Sequence, residues 1–163
     1  MRRFNTAGDH GTAAALHRVC ASSAWGRALL AGRPYASLAA LLAASDAAVT
    51  ELSAAELDAA IGAHPPIGRP PPGDPVSARE QRGMAGAPAR LAAEMLELNL
   101  AYQERFGQVF LICATGLTAG QLRDAIRARL GNPPGIERET VRTELGKINR
   151  IRLTRLVTDS PDG

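Results

Sequence analysis

Cysteine is nearly absent. Of 163 residues only Cys20 and Cys113 are thiols, with no CxxC pair and no companion spacing that could hold a metal. A disulfide scaffold and a metal site are therefore not expected, and both cysteines read as buried thiols of a reduced compartment. Apolar β-branched residues are scarce too, 6 Val and 7 Ile against 31 Ala and 19 Leu, which leaves little material for a large sheet. No run of 18 apolar residues occurs, and MRRFNTAGDHG at the start has no apolar stretch behind its arginines. Neither a membrane span nor export is predicted, and the expected setting is cytoplasmic. A block of one charge is missing as well: 19 basic and 16 acidic residues are interspersed, for a net +3, which predicts no nucleic-acid partner.

What is present is helix-forming. Alanine and leucine have high helix propensity, and the length suits one core burying roughly 70% of the extended surface. The reading is an all-α, single-domain bundle of about six to eight helices spanning residues 1–163, with 1–10 and 158–163 loose. Helices are predicted over 12–21, then from Ser22 or Ser23 to Gly32, and from Ser37 through Val49. A capping box of Ser53 with Glu56 opens a fourth, stopped at Gly62. Residues 63–75, AHPPIGRPPPGDP, carry six prolines that remove amide donors and forbid continuous helix. Ser77 with Glu80 makes a second capping-box pattern, and a long amphipathic helix covers 87–106, with Leu91, Met95, Leu98 and Tyr102 on one face. VFLICAT, residues 109–115, is read as a short extended segment between Gly107 and Gly116. Thr118 with Gln121 opens a helix to Leu130, and the last helix runs from about Ile136 to Val157.

Three positions depart from this punctuation. His64 stands before Pro65, which drives its backbone out of the α region and so places the imidazole. Glu80 and Gln81 follow at a helix start, where a carboxylate has a dipole and capping reason to be and a glutamine has none. On the last helix Val141, Leu145, Ile148 and Leu156 lie within about 80° of one another at 100° per residue. Arg152 falls in the middle of that stripe and Arg155 at its edge, so a guanidinium there needs a carboxylate or an anionic ligand, or must snorkel outward. An acid/base candidate, a carboxylate and a fixed cation suit proton transfer on a small anionic substrate. A different small-molecule lyase or hydrolase, or a non-catalytic basic helical interaction module, remains open at this level.

These residues also resemble a family, the 2-oxo-4-hydroxy-4-carboxy-5-ureidoimidazoline (OHCU) decarboxylases of urate degradation. HPPIG from His64 is similar to the family's HPxIG motif, and SAREQ from Ser77 to Gln81 to its SxxEQ motif. LNLAYQERFGQVFLICATG from Leu98 is similar to LNxxYxxxFGxxFxxxxxG, and ELGKINRIRLTRL to its closing helix. The resemblance implies an all-helical fold and a cofactor-independent decarboxylation to S-allantoin and carbon dioxide, with no metal, and it suggests a homodimer. It implies His64 and Glu80 as catalytic residues and Arg152 as a substrate-binding arginine. Pro65, Ser77 and Gln81 follow as substrate contacts, and Gln108, Val109, Phe110, Leu111 and Ile112 as a source of backbone contacts. Ser77 carries two readings, because a helix cap and a ligand contact compete for one hydroxyl.

Overall fold

Side chains that accept first-turn amides fix where most of the helices begin. In the computed structural model, which describes residues 1–159, Ser22 accepts from Trp25 N–H and Ser37 from Ala40 N–H, while Thr118 and Gln121 close a reciprocal capping box. Each satisfies a donor that helix geometry leaves orphaned. Among the described residues there are nine α-helices and no strand: α1 (Arg2–Thr6), α2 (Asp9–Val19), α3 (Ser23–Ala31), α4 (Leu38–Thr50), α5 (Ala54–Gly62), α6 (Pro75–Glu80), α7 (Ala89–Phe106), α8 (Ala119–Leu130) and α9 (Pro134–Thr158), with a 3-10 turn at Arg82–Met84. None is long and apolar enough by itself to cross a membrane. The all-α expectation holds, and residues 109–114 form an irregular stretch outside any ladder.

One expected loose end is ordered. Residues 1–10 hold α1 and the start of α2, because Phe4 is buried beside the Tyr35 ring. Arg33 donates to the carbonyls of Phe4 and Ala7, both at 3.0 Å, and pairs with Asp9. This short helix supplies the ninth. Of the other end, residues 160–163 lie outside those described.

The chain forms two compact units. One comprises Met1–Ala60 and the chain from Leu145 on, the other Ile61–Glu144. In the first, α2, α3 and α4 pack in sequence around Leu16, Trp25, Leu29, Leu41, Leu57 and Leu153, all inaccessible to solvent. Its buried polar groups are few and small: Trp25 Nε1 donates to Ser45 Oγ at 3.2 Å, and Ser22 Oγ to Glu56 at 2.6 Å. Ser53 accepts from Glu56 N–H, the serine half of the predicted capping box, while the Glu56 carboxylate accepts from the Ser22 hydroxyl.

In the second unit α7 and α8 pack on each other. Met95 and Tyr102 of α7 meet Leu122 and Ile126 of α8, with Ile67, Phe110 and Ala114 completing one apolar cluster. The left-handed Gly107 (φ 69°) ends α7, a conformation that costs glycine nothing. At Gly83 an added Cβ would stand 1.8 Å from the Leu117 carbonyl, so only glycine lets the turn after α6 lie against the chain that leaves the irregular segment.

Candidate functional site

The HPPIG segment opens with a tight turn, His64 N–H donating to the Ile61 carbonyl at 3.0 Å. Beyond it the loop is held by two carboxamides. Gln81 Oε1 accepts from Gly68 N–H at 2.8 Å, and its Nε2 donates to the Pro66 carbonyl at 3.3 Å and the Pro65 carbonyl at 3.5 Å. Asn99 Nδ2 donates to the Ile67 carbonyl at 3.0 Å and to Met95 at 2.8 Å. Six prolines leave this loop short of amide donors: Arg69 N–H reaches the Pro66 carbonyl and Asp74 N–H the Pro71 carbonyl, both at 3.1 Å, but among the described residues none of the loop's amides is bonded to the Pro65 or Ile67 carbonyl. Gln81 and Asn99 supply donors to the Pro65 and Ile67 carbonyls, and with the Gly68 and Pro66 bonds of Gln81 they fix the backbone that carries a half-buried His64. Gln81, which had no capping reason to follow Glu80, has this one.

Helix α6 starts differently from the predicted pattern. Asp74 caps it, accepting from Val76 and Ser77 N–H at 3.1 Å each, with Pro75 in the first turn. Proline suits that position because its missing donor would be orphaned anyway. Ser77 consequently sits inside the helix rather than before it, so the expected Ser77 and Glu80 capping box does not form. The competition for the Ser77 hydroxyl is thereby resolved: capping does not use it. Ser77 and Glu80 are both buried, one helical turn apart on the same face.

The irregular stretch from Gln108 to Ile112 needs partners from elsewhere. Arg129 of α8 donates through Nη1 to the Leu111 carbonyl at 2.8 Å, and Glu144 of α9 accepts from Cys113 N–H at 2.8 Å. Arg129 also donates through Nε (2.8 Å) and Nη2 (2.5 Å) to Glu137, whose carboxylate further accepts from Asn132 at 2.8 Å and from the Tyr102 hydroxyl. The guanidinium stacks 4.6 Å from the Phe110 ring centre. Glu137 is 1% exposed and Arg129 8%, so this is a buried ion pair whose guanidinium also donates to backbone and whose carboxylate also accepts from an amide and a phenol. Burial first, and then the hydrogen bond to Glu137, push the Tyr102 phenol up to about 12. It stays protonated and donates. Phe110 and Leu111 are buried, while Gln108, Val109 and Ile112 are half-buried.

Of the residues singled out from the sequence, His64, Pro65, Ser77, Glu80, Gln81 and Gln108 to Ile112 all lie in the second unit, and Arg152 and Arg155 in the first. Arg152 is half-buried and donates to the Val19 carbonyl at 3.1 Å. That carbonyl is at the C-terminal, negative end of α2, a favourable place for a cation. The buried stripe of α9 also drifts from the one predicted: Val141, Leu145 and Ile148 are buried, but Asn149 and Leu153 continue it rather than Leu156. Cys20 is buried as expected and Cys113 is only half-buried; both are free thiols.

Several residues of this region escaped the sequence reading. Asp74 before Pro75 is a cap signal that the Ser77 pattern overshadowed. Arg129 falls on the core face of α8 with Ala119, Leu122 and Ile126, so the periodicity that picks out Arg152 would have picked it out also. Glu144 carries no local signal and Glu137 only that of an acid in the first turn of α9, since Tyr102, Arg129 and Cys113 lie on other elements.

Comparison with known proteins places the chain in a family. Residues 5–154 match the family model for OHCU decarboxylase. A 2-oxo-4-hydroxy-4-carboxy-5-ureidoimidazoline decarboxylase of Amia calva is 31% identical over 145 residues, 85% of this chain and 80% of that protein. The uric acid degradation bifunctional protein TTL of Arabidopsis thaliana is 29% identical over 147 residues, 86% of this chain; the chain spans 45% of that protein's length. The fold is shared with a crystal structure of OHCU decarboxylase in the presence of (S)-allantoin, at a TM-score of 0.79 and 24% identity over 93% of this chain and 99% of that one. A crystal structure of (S)-allantoin synthase superposes at a TM-score of 0.74 with 18% identity, over 94% of this chain and 52% of that one.

Proposed function

This chain belongs to the OHCU decarboxylase family, and on that premise we propose that it decarboxylates 2-oxo-4-hydroxy-4-carboxy-5-ureidoimidazoline to S-allantoin and carbon dioxide. The observation that carries the reading is the Gln81 clamp: the residue after Glu80 is bonded to the loop that begins at His64. That contact ties the two motifs that hold the acid/base candidates to each other, inside one unit.

The chemistry asks for little beyond side chains. The C4–carboxylate bond breaks, its electron pair moves toward the C5=N imine, and a ring nitrogen takes a proton. The enolic intermediate then loses the C4 hydroxyl proton to give C4=O and gains one at C5. The net reaction consumes one proton and releases carbon dioxide, with the ring as its own electron sink and no cofactor. His64 shuttles the proton, since imidazole is the side chain that both accepts and donates a proton most readily in general acid–base chemistry. Glu80 acts with it, and Ser77 offers a hydroxyl that capping does not use. Arg152 enters from its motif position alone, as the donor to a substrate oxygen. A homodimer and a cytoplasmic setting belong to the same proposal, supported only by the resemblance and by composition.

The test is circular dichroism during urate oxidation with urate oxidase and hydroxyisourate hydrolase present. Accelerated appearance of optically active allantoin is expected, and no acceleration at micromolar protein would refute the activity. His64→Ala and Glu80→Gln should each lower kcat by roughly 100-fold or more with the helical fold retained. Near-normal turnover in either variant removes that residue's role. Arg152→Lys should raise KM, and an unchanged KM there with a raised one in Arg155→Lys would move the assignment to Arg155.

A further inference from the structure

In a chain built of helices, the stretch between Gly107 and Gly116 has no ladder to hold it, and its backbone polar groups must be satisfied one at a time. Two are claimed by side chains from two different helices. Arg129 takes the Leu111 carbonyl and Glu144 takes the Cys113 N–H. A trans peptide is planar with its C=O and N–H antiparallel, and the Leu111–Ile112 and Ile112–Cys113 bonds are trans. The Ile112 N–H therefore points away from Arg129, and the Ile112 carbonyl away from Glu144. Residue 112 is half-buried, yet its donor and acceptor are both turned from the groups that pin its neighbours.

The anchoring is costly in a way that packing alone does not require. Arg129 and Glu137 form a buried ion pair, and a buried pair seldom stabilises more than apolar side chains of the same volume would. What an apolar pair could not do is hold the Leu111 carbonyl. The same guanidinium that meets Glu137 through Nε and Nη2 uses Nη1 for that carbonyl, so Glu137, Asn132 and Tyr102 fix the fork that fixes the peptide.

We propose that Arg129 and Glu144 are positioning residues of the decarboxylase site, orienting the two peptide planes around Ile112 so that its N–H and C=O receive the carbonyl and N–H of a ureide ring. This rests on the function proposed above. Neither side chain touches the substrate. They act through backbone, and the contact they orient is made equally in ground and transition states, so its loss appears in KM rather than kcat.

The experiment uses the coupled dichroism assay with wild-type protein and three changes. Arg129→Met combined with Glu137→Leu removes the buried charges without leaving one unpaired, and so keeps the fold while releasing the Leu111 carbonyl; KM should rise about tenfold, roughly one hydrogen bond's worth, with kcat within about twofold. Glu144→Ala should raise KM similarly. Glu144→Gln should restore it, because a carboxamide oxygen still accepts from Cys113 N–H, a rescue that an electrostatic role for the Glu144 charge does not predict, while a role in stability alone would leave KM unmoved in Glu144→Ala. Wild-type activity with an unmoved KM in the folded double variant, or with Glu144→Gln as impaired as Glu144→Ala, overturns this inference and leaves the decarboxylase reading standing. An inactive wild type overturns both.

Discussion

The two units of this chain solve the same problem with different materials. The unit holding α2, α3 and α4 buries Leu, Trp and Val, and its interior polar groups are Thr12, Ser22, Ser45 and Asn149. The unit from Ile61 to Glu144 buries Glu80, Arg129 and Glu137, along with Ser77, Gln81 and Asn99. Every buried ionisable acid or guanidinium among the described residues is therefore in the unit with the proline-rich loop and the unladdered stretch. The difference follows from backbone. Regular helices satisfy their own amides and ask only for apolar burial, whereas irregular segments need side chains to finish their hydrogen bonds. Where the chain gives up helix, it spends polar side chains to hold a shape, and a shape so held can present a catalytic group.

The comparison breaks most visibly at Glu137. Glu137→Ala leaves Arg129 buried without its partner and should cost about 3–5 kcal/mol, measured by urea unfolding. It should also bring the Tyr102 phenol closer to its ordinary titration range, read by tyrosinate absorbance. A loss below about 1 kcal/mol would mean that water reaches the pair and that the second unit is not organised around it. The matching change in the first unit is Leu29→Ala, at a fully inaccessible position. It should cost about 2–5 kcal/mol through lost transfer energy and a cavity, with KM and kcat of the folded protein unaltered. A shifted KM in Leu29→Ala would erase the distinction between a unit whose core is remote from the site and the unit that holds the His64 and Glu80 motifs.

The same contrast explains what could be read from the chain alone. Helix starts at Ser22, Ser37, Ser53 and Thr118 are legible because cap and helix are neighbours in sequence. The loop from His64 is legible because proline acts locally on the residue before it. The Ser77 cap misled because Asp74, followed by proline, starts the helix three residues earlier, so Ser77 is already inside it and the amides it would have capped are no longer orphaned. The second unit's polar anchors were out of reach for a different reason. Arg129 meets Leu111 across 18 residues and Cys113 meets Glu144 across 31, and no spacing rule links residues whose proximity is made by the fold itself. Motif resemblance reached His64 and Glu80; it said nothing of what holds them.

A smaller effect is expected at Asn99. Asn99→Ala removes the donor to the Ile67 carbonyl inside the apolar cluster, and an orphaned buried carbonyl costs about 1–3 kcal/mol. Because Ile67 follows the His64-Pro65-Pro66 run, kcat should fall as well. A stability loss with no change in kcat would show that Gln81 alone sets the loop.

Alkaline pH probes the same unit more gently. The Tyr102 phenol keeps its proton up to about 12 in the folded chain, while an unfolded tyrosine loses it near 10. Between those values the folded state binds more protons, so stability falls as pH rises through the window and the contribution is complete below it. Unfolding followed from pH 9 to 12 should show this decline in wild type, and Tyr102→Phe should flatten it. An equal slope in the two proteins would place the alkaline sensitivity elsewhere.

The mildest test separates the units by their thiols. Burial pushes the Cys20 thiol up, against opposing contributions from Asn149, the Ser22 backbone and Arg152, so in the first unit it is both inaccessible and protonated. Reaction needs the thiolate and a path to it. Cys113, in the irregular stretch of the second unit, is half-buried. Treatment of the folded protein with a thiol reagent should label Cys113 first, with Cys20 labelled only as the first unit opens, its rate rising with urea in step with loss of helix. Equal labelling of the two in native buffer would mean that the alanine- and leucine-rich unit admits solvent as freely as the one built around polar anchors, and the contrast between a dry core and a polar one would have to be withdrawn.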